Sequence, residues 1–163
     1  MVLDVNSKTL VLLQGLPGSG KSTFIKKWNL EEYTLCKDEF RIKAGCVKNG
    51  EISQDSNGIV KRIVYMLLEE RLKNGCFTII DETNAFSTTV DKYKEYAQKY
   101  DFDVIVIRFN TSKEECKRRQ NGRGFRAVSD ELIDKMHRFL VHSKVDAVDA
   151  NEITGVTNKE DIV

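Results

Sequence analysis

Short apolar runs alternate with longer amphipathic segments along this chain, the pattern of a parallel sheet whose strands are joined by crossover helices, so the predicted fold class is α/β. Residues 9–14, 33–36, 77–80 and 104–109 read as strands, each too short for a helix and rich in Val, Ile, Leu or aromatics. A further, terminal strand is expected over 152–154. Helices are predicted over 21–28, in a short segment after Asp38, and over 55–73, where Ile59, Ile63, Met66, Leu67 and Leu72 recur at helical spacing before an Asn74-Gly75 stop. Two more fall at 89–100 and 112–120, and a last one runs from a Ser129 cap to His142. Thr111, with Glu114 three residues later, has the form of a capping box. The polar stretch 49–57 reads as a loop or a frayed helix entry, and the Gly- and Arg-rich stretch 121–126 as a mobile basic loop.

Composition narrows this picture. The 163 residues are read as a single domain over 1–163, since a chain of this length buries roughly two-thirds of its unfolded surface around one core. No apolar run approaches the roughly 20 residues that span a bilayer. The opening MVLDVNSK has neither a basic start nor a long apolar stretch, so a cytoplasmic protein with no membrane contact is expected. Cys36, Cys46, Cys76 and Cys116 form no CxxC pair and read as reduced thiols, which makes zinc improbable. With 26 Lys+Arg against 25 Asp+Glu the net charge is only +1, which argues against an extended grip on duplex nucleic acid. The charge is unevenly spread, however. Residues 113–126 hold six basic side chains (Lys113, Lys117, Arg118, Arg119, Arg123, Arg126) and two acidic ones, while 146–163 hold five acidic residues and one lysine.

The strongest chemical signal is GLPGSGKST, where Gly15, Gly20, Lys21 and Ser22 fill a Gly-x-x-x-x-Gly-Lys-Ser/Thr pattern between a predicted strand and a predicted helix. Gly15, Gly18 and Gly20 let successive amides turn inward around a phosphate; Lys21 adds a cation, and the Ser22 hydroxyl is suited to Mg²⁺. Pro17, the one proline in the chain, falls inside this loop and stiffens it. Such a loop implies nucleoside triphosphate binding without choosing between kinase, switch and motor.

Three other segments bear on that choice. In CKDEFR, Asp38 follows the second predicted strand, where ligands collect in open α/β sheets, and a carboxylate there can take the proton of an attacking hydroxyl. Arg41, three residues on, can bind an acceptor phosphate or orient Asp38; the competing reading makes Asp38 a helix N-cap. In TIIDETN, Asp81 is the simplest candidate to hold Mg²⁺ through its water shell, and Thr83 and Asn84 are neutral groups suited to an acceptor phosphate or sugar. A structural reading makes Asp81 or Glu82 a cap. In KEECKRRQNGRGFRA, Arg123 between two glycines suits a closing lid that brings a guanidinium over the γ-phosphate; a solvated charge run is the alternative.

With these residues in place, the chain from Leu10 to about Leu140 resembles the P-loop polynucleotide 5′-hydroxyl kinases, in particular the phage-type kinase domain. The resemblance implies a P-loop kinase fold with helices flanking a parallel sheet and a short arginine-bearing lid. It implies ATP held by Gly15, Pro17, Gly18, Ser19, Gly20, Lys21, Ser22 and Thr23 and clamped by Arg119 and Arg123. It also implies Asp38 as general base, and Arg41, Thr83, Asn84 and Glu82 on the acceptor, the 5′-hydroxyl end of a DNA or RNA strand. Glu82 stands where the phage-type pattern has Asp, and Ser129 where a proline is common. No phosphatase or ligase pattern accompanies these motifs, so an end-healing partner is expected to be a separate protein. The other readings are a small-molecule kinase, acting on a nucleoside, nucleotide, sugar or antibiotic, and a nucleotide-dependent switch or binding module. His137 and His142 lie five apart, on different helix faces, and make a poor metal pair. Trp28, Tyr93, Tyr96 and Tyr100 read as packing residues.

Overall fold

The computed structural model of the protein describes residues 1–48, 51–52 and 57–157. Its strands are β1 (Val2–Leu3), β2 (Thr9–Gln14), β3 (Thr34–Cys36), β4 (Val47–Lys48), β5 (Glu51–Ile52), β6 (Thr78–Asp81), β7 (Asp103–Arg108), β8 (Val148–Asp149) and β9 (Gly155–Val156). The α-helices are α1 (Lys21–Lys27), α2 (Lys37–Lys43), α3 (Asn57–Lys73), α4 (Ser87–Lys99), α5 (Lys113–Gln120) and α6 (Asp130–Val141). A five-stranded sheet, every described pair of it parallel, carries the fold in the order β3-β6-β2-β7-β8.

β2 is the central strand, and all six of its residues are buried. A strand covered on both faces needs apolar residues at odd and even positions alike, which is why TLVLLQ reads as a continuous run rather than an alternation. Val11 and Leu13 face one layer, with Phe24, Ile25, Leu30, Phe77 and Ile107. Leu10 and Leu12 face the other, with Leu68 and Leu72 of α3 and Val90, Tyr93 and Ala97 of α4. Truncating one of these leucines to Ala costs about 2–5 kcal/mol. A third, smaller cluster of Leu16, Cys116 and Ile133 joins the loop after β2 to α5 and α6, so the arginine-bearing segment is anchored at both ends.

The parallel α/β sheet with flanking helices agrees with the sequence reading, and differences lie at the edges. Helix α4 begins at Ser87, two residues before the predicted start. Helix α5 is capped by Ser112, whose Oγ accepts from the Glu115 amide at 3.3 Å, and not by Thr111, whose Oγ1 donates to the Ser19 carbonyl at 2.8 Å. The strand expected over 152–154 is not there. Asp149 accepts from the Asn151 amide at 2.8 Å and turns Ala150–Glu152 into a 3₁₀ segment, leaving β8 and β9 on either side. β9 pairs with β1, a two-residue strand with no periodicity to predict it from. Residues 124–126 of the expected mobile loop form a 3₁₀ turn. Part of the 49–57 stretch, residues 49, 50 and 53–56, lies outside the described residues, as do the first two positions of the helix predicted from 55.

All four cysteines are free thiols. Among the described residues no helix is long and apolar enough to cross a membrane.

Candidate active site

The carboxyl ends of β2, β3 and β6 open into a cleft of about 1260 Å³, roofed by the α5–α6 segment. Seven Lys and Arg side chains and four carboxylates line it.

The loop after β2 forms its floor. Gly18 and Gly20 have φ of 86° and 106°, a region that costs a residue with a Cβ roughly 1–2 kcal/mol. A Cβ on Gly15 would stand 2.7 Å from Ser19 Oγ and 3.0 Å from Phe109 Cβ, so the loop also needs glycine for space. The Gly15 amide donates to the Thr83 carbonyl at 3.1 Å, which fixes the loop against the end of β6. No acidic residue stands in the first turn of α1, and no side chain caps it. Lys21 is buried, and its Nζ donates to the carbonyls of Gly15 at 2.8 Å and Leu16 at 3.0 Å. Burial pushes its ammonium below the usual lysine range, against the pull of Asp81. Pro17, Ser22 and Thr23 also line the cleft, and the last two are exposed.

Asp38 lies in the first turn of α2, where its Oδ1 accepts from Arg41 Nη1 at 2.5 Å. Cys36, not Asp38, occupies the N-cap position, so the capping alternative for Asp38 is excluded. Arg41 is itself positioned from α3: its Nε donates to Asn57 Oδ1 at 3.1 Å and its Nη2 to the same oxygen. Asp81 ends β6 beside Cys36, and burial raises its carboxyl above the usual range, with the Lys21 charge opposing.

Both oxygens of Glu82 are engaged, Oε2 by Lys37 Nζ at 2.7 Å and Oε1 by the Tyr93 hydroxyl at 2.6 Å. Thr83 lines the cleft beside it. Asn84 has a structural role through its side-chain amide. It is 2% exposed, has a φ of 44°, and donates from Nδ2 to the Leu13 carbonyl at 2.7 Å, a position that ties β6 to β2. It does not line the main cleft; it lines a smaller pocket beside it.

Across the cleft, Arg119 donates from Nη1 to the Gly18 carbonyl at 3.0 Å and from Nε to Glu115 Oε1 at 2.7 Å. Arg123 and Arg126 line the same wall. The structure thus brings together Lys21, Ser22, Asp38, Arg41, Asp81, Glu82, Thr83, Arg119 and Arg123 on one opening.

Several supporting residues went unread in the sequence. Gln14 is fully buried and donates from Nε2 to the Asn84 carbonyl at 2.9 Å, while its Oε1 accepts from Arg108 Nε at 2.7 Å. A polar residue closing an otherwise apolar strand was the available signal. Trp28 packs against the core, as expected, but also lines the cleft. Tyr93 is buried in the α4 layer, stacked with Tyr65.

The chain is similar to several known proteins. The AAA domain family matches residues 10–141. The chain belongs to this P-loop family. The 2′,3′-cyclic-nucleotide 3′-phosphodiesterase of Mus musculus is 27% identical over 136 residues, which cover 77% of this chain and 30% of that protein. Its Rattus norvegicus counterpart is 28% identical over 114 residues, covering 64% of this chain and 24% of that protein. The chain therefore spans less than a third of the length of these curated relatives. Among solved structures, a chain of the Pnkp1/Rnl/Hen1 RNA repair complex superposes with a TM-score of 0.71 at 23% identity, covering 85% of this chain and 46% of that one. A putative kinase from Chloroflexus aurantiacus superposes with a TM-score of 0.64 at 16% identity, covering 96% and 92%. The fold is that of the P-loop kinases.

Proposed function

We propose that this P-loop protein is an ATP-dependent polynucleotide 5′-hydroxyl kinase, acting in the cytoplasm on the end of a DNA or RNA strand. The observation that carries the reading is the Asp38–Arg41 pair, which faces the same cleft as the phosphate loop and the lid arginines. A nucleotide switch has no use for a carboxylate and a guanidinium on the acceptor side. A kinase needs both.

Asp38 accepts the proton of the attacking 5′-hydroxyl, and Arg41 binds the phosphate that follows it on the acceptor strand. Lys21 and Arg123 stabilise the charge that spreads over the γ-phosphoryl oxygens in transfer, with Arg119 steadying the loop through Gly18. Thr83 lines the cleft beside Glu82 on the acceptor side. The donor set suits Mg²⁺: an exposed serine hydroxyl at Ser22 and a partly desolvated carboxylate at Asp81, both hard oxygen ligands on one cleft. When bound, the cation neutralises charge between the β- and γ-phosphates. The presence of a similar fold in an RNA repair complex supports a nucleic-acid acceptor.

The test is transfer of labelled γ-phosphate from ATP to matched 5′-hydroxyl DNA and RNA oligonucleotides, with nucleosides, sugars and other metabolites alongside. Labelled oligonucleotide 5′ ends are the expected result. Labelling confined to a metabolite would make the protein a small-molecule kinase, and phosphate release without any labelled acceptor would make it a switch.

A further inference from the structure

Beside the main cleft lies a second pocket of about 340 Å³, between α3 and the start of α4, and the two share Lys37, Glu82 and Thr83 as lining residues. The smaller pocket is therefore a side branch of the larger one. Its two remaining lysines, Lys61 and Lys92, have no part in the chemistry described above, and it is built for negative charge. Lys61, Lys92 and Lys37 line it against a single carboxylate, Glu82, which already pairs with Lys37 at 2.7 Å. That leaves Lys61 and Lys92 without an ion-pair partner among the described residues. The two converge on one side chain: Tyr65 lies four residues after Lys61 on the same face of α3, and Lys92 Nζ stands 4.6 Å from the centre of its ring.

Two observations besides charge point to a ligand. The first turn of α4 forms one wall through Phe86, Thr88 and Thr89; it has neither a capping side chain nor an acidic residue, and while the Thr89 amide is taken by the Phe86 carbonyl at 3.0 Å, the positive end of the helix stands at the pocket. Asn84 also lines the pocket; it is 2% exposed, its Nδ2 is occupied by Leu13, and its Oδ1 lacks a hydrogen-bond partner among the described residues. A buried carbonyl without a donor is a costly arrangement that a ligand hydroxyl relieves. Basic groups, helix amides and one unmatched acceptor together describe a sugar-phosphate. The rim adds an apolar surface, since Phe86 and Phe139 pair with ring centroids 4.5 Å apart and stay 39% and 43% exposed. An exposed ring beside a phosphate site is a platform for a base of any identity.

We propose that this side pocket holds the second internucleotide phosphate of the acceptor strand, one nucleotide beyond the phosphate held by Arg41, with Lys61 and Lys92 as its cationic contacts. The inference rests on the polynucleotide kinase reading and deepens it: the enzyme grips a single strand over two phosphates, so a strand engages more tightly than a mononucleotide.

The experiment compares kcat/KM for uridine 3′-monophosphate with that for 5′-hydroxyl oligouridylates of two, four and eight nucleotides, in the wild type and in a Lys61→Gln/Lys92→Gln double variant, with KM for ATP as control. Both lysines are exposed, so the variant folds. In the wild type the tetramer is favoured over the mononucleotide; in the double variant that preference falls about tenfold, the size of one lost charged contact. The slope of log KM for the tetramer against log salt becomes shallower by about 0.7, one single-strand phosphate contact. A variant that keeps the wild-type length preference and salt slope overturns the proposal. Should the wild type phosphorylate neither these oligouridylates nor matched DNA oligonucleotides, the kinase reading fails, and the pocket is judged by anisotropy with fluorescent 5′-phosphorylated octauridylate. Binding weakened about tenfold in the double variant then upholds it, and equal binding overturns it.

Discussion

The ion pair between Arg41 and Asp38 is lopsided: at 2.5 Å separation the arginine side chain keeps 12% of its exposure and the aspartate 53%. Arg41 is held from behind by Asn57, so the arginine is fixed and its partner carboxylate is presented to the cleft. A carboxylate in that setting is restrained in position and still open to a hydroxyl. Asp38→Asn keeps the shape and removes the proposed base, so phosphoryl transfer is expected to fall about 10²–10⁴-fold. ATP binding, measured by equilibrium titration, stays near the native value because the loop and Lys21 are untouched. A variant that transfers phosphate at close to the native rate would remove Asp38 from the mechanism.

Gly18 is the point at which the loop meets the lid. With φ at 86°, a Cβ there would stand 2.7 Å from Gln120 Nε2 and 3.0 Å from the Cys116 carbonyl, both on α5. Gly18→Ala therefore combines left-handed strain, roughly 1–2 kcal/mol, with displacement of the helix that carries Arg119. The expected outcome is a lower melting temperature together with weakened ATP binding. Thermal denaturation with and without ATP separates the two effects.

Asn84 ties two strands together from a backbone conformation that few residues accept. Asn84→Ala removes the bond to the Leu13 carbonyl and leaves that acceptor buried, at a cost of about 1–3 kcal/mol in urea denaturation. Asn84→Gly accepts the φ of 44° but still lacks the amide, so it should fall between the native protein and the alanine variant. Equal stability of all three proteins would refute the bracing role.

Burial, reinforced by the neighbouring Asp81 carboxylate, pushes the Cys36 thiol up to about 12 from its usual 9. At pH 8.5 Cys36 is therefore protonated and slow to react with iodoacetamide, while Cys76, on the turn after α3, is modified first; peptide mapping by mass spectrometry reads the order. The linked effect on stability has a definite sign. Between pH 9 and about 12 the unfolded chain releases this proton and the folded protein retains it, so stability falls as pH rises through that window. Cys36→Ser should flatten this part of the curve.

Much of the site was legible because its parts are local. The Gly-x-x-x-x-Gly-Lys-Ser pattern, Asp38 with Arg41, and Arg119 with Arg123 each occupy a few adjacent residues, and alternating strands and helices deliver them to one end of the sheet. What went unread depends on pairs far apart in the chain. Gln14 acquires its meaning only when Asn84 and Arg108 arrive beside it. The bracing role of Asn84 shows only when its amide is seen on Leu13, and Glu82 gives no sign in sequence that Lys37 and Tyr93 hold both its oxygens. At α5, two adjacent hydroxyls competed for one cap. Thr111 was drawn away by the Ser19 carbonyl of the loop, a tertiary contact that no local rule contains.

The pairing of β1 with β9 braces one wall of the cleft. Val2 lies in register with Gly155, and the Met1 amino group donates to the Glu152 carbonyl at 2.6 Å, across 151 residues of chain. Asp149, Asn151 and Ile153, which line the cleft, belong to the segment that leads into β9. The phosphate loop after β2 and this opposite wall of the cleft are thus far apart in sequence, and the wall is steadied from outside the main sheet by a separate two-stranded pairing.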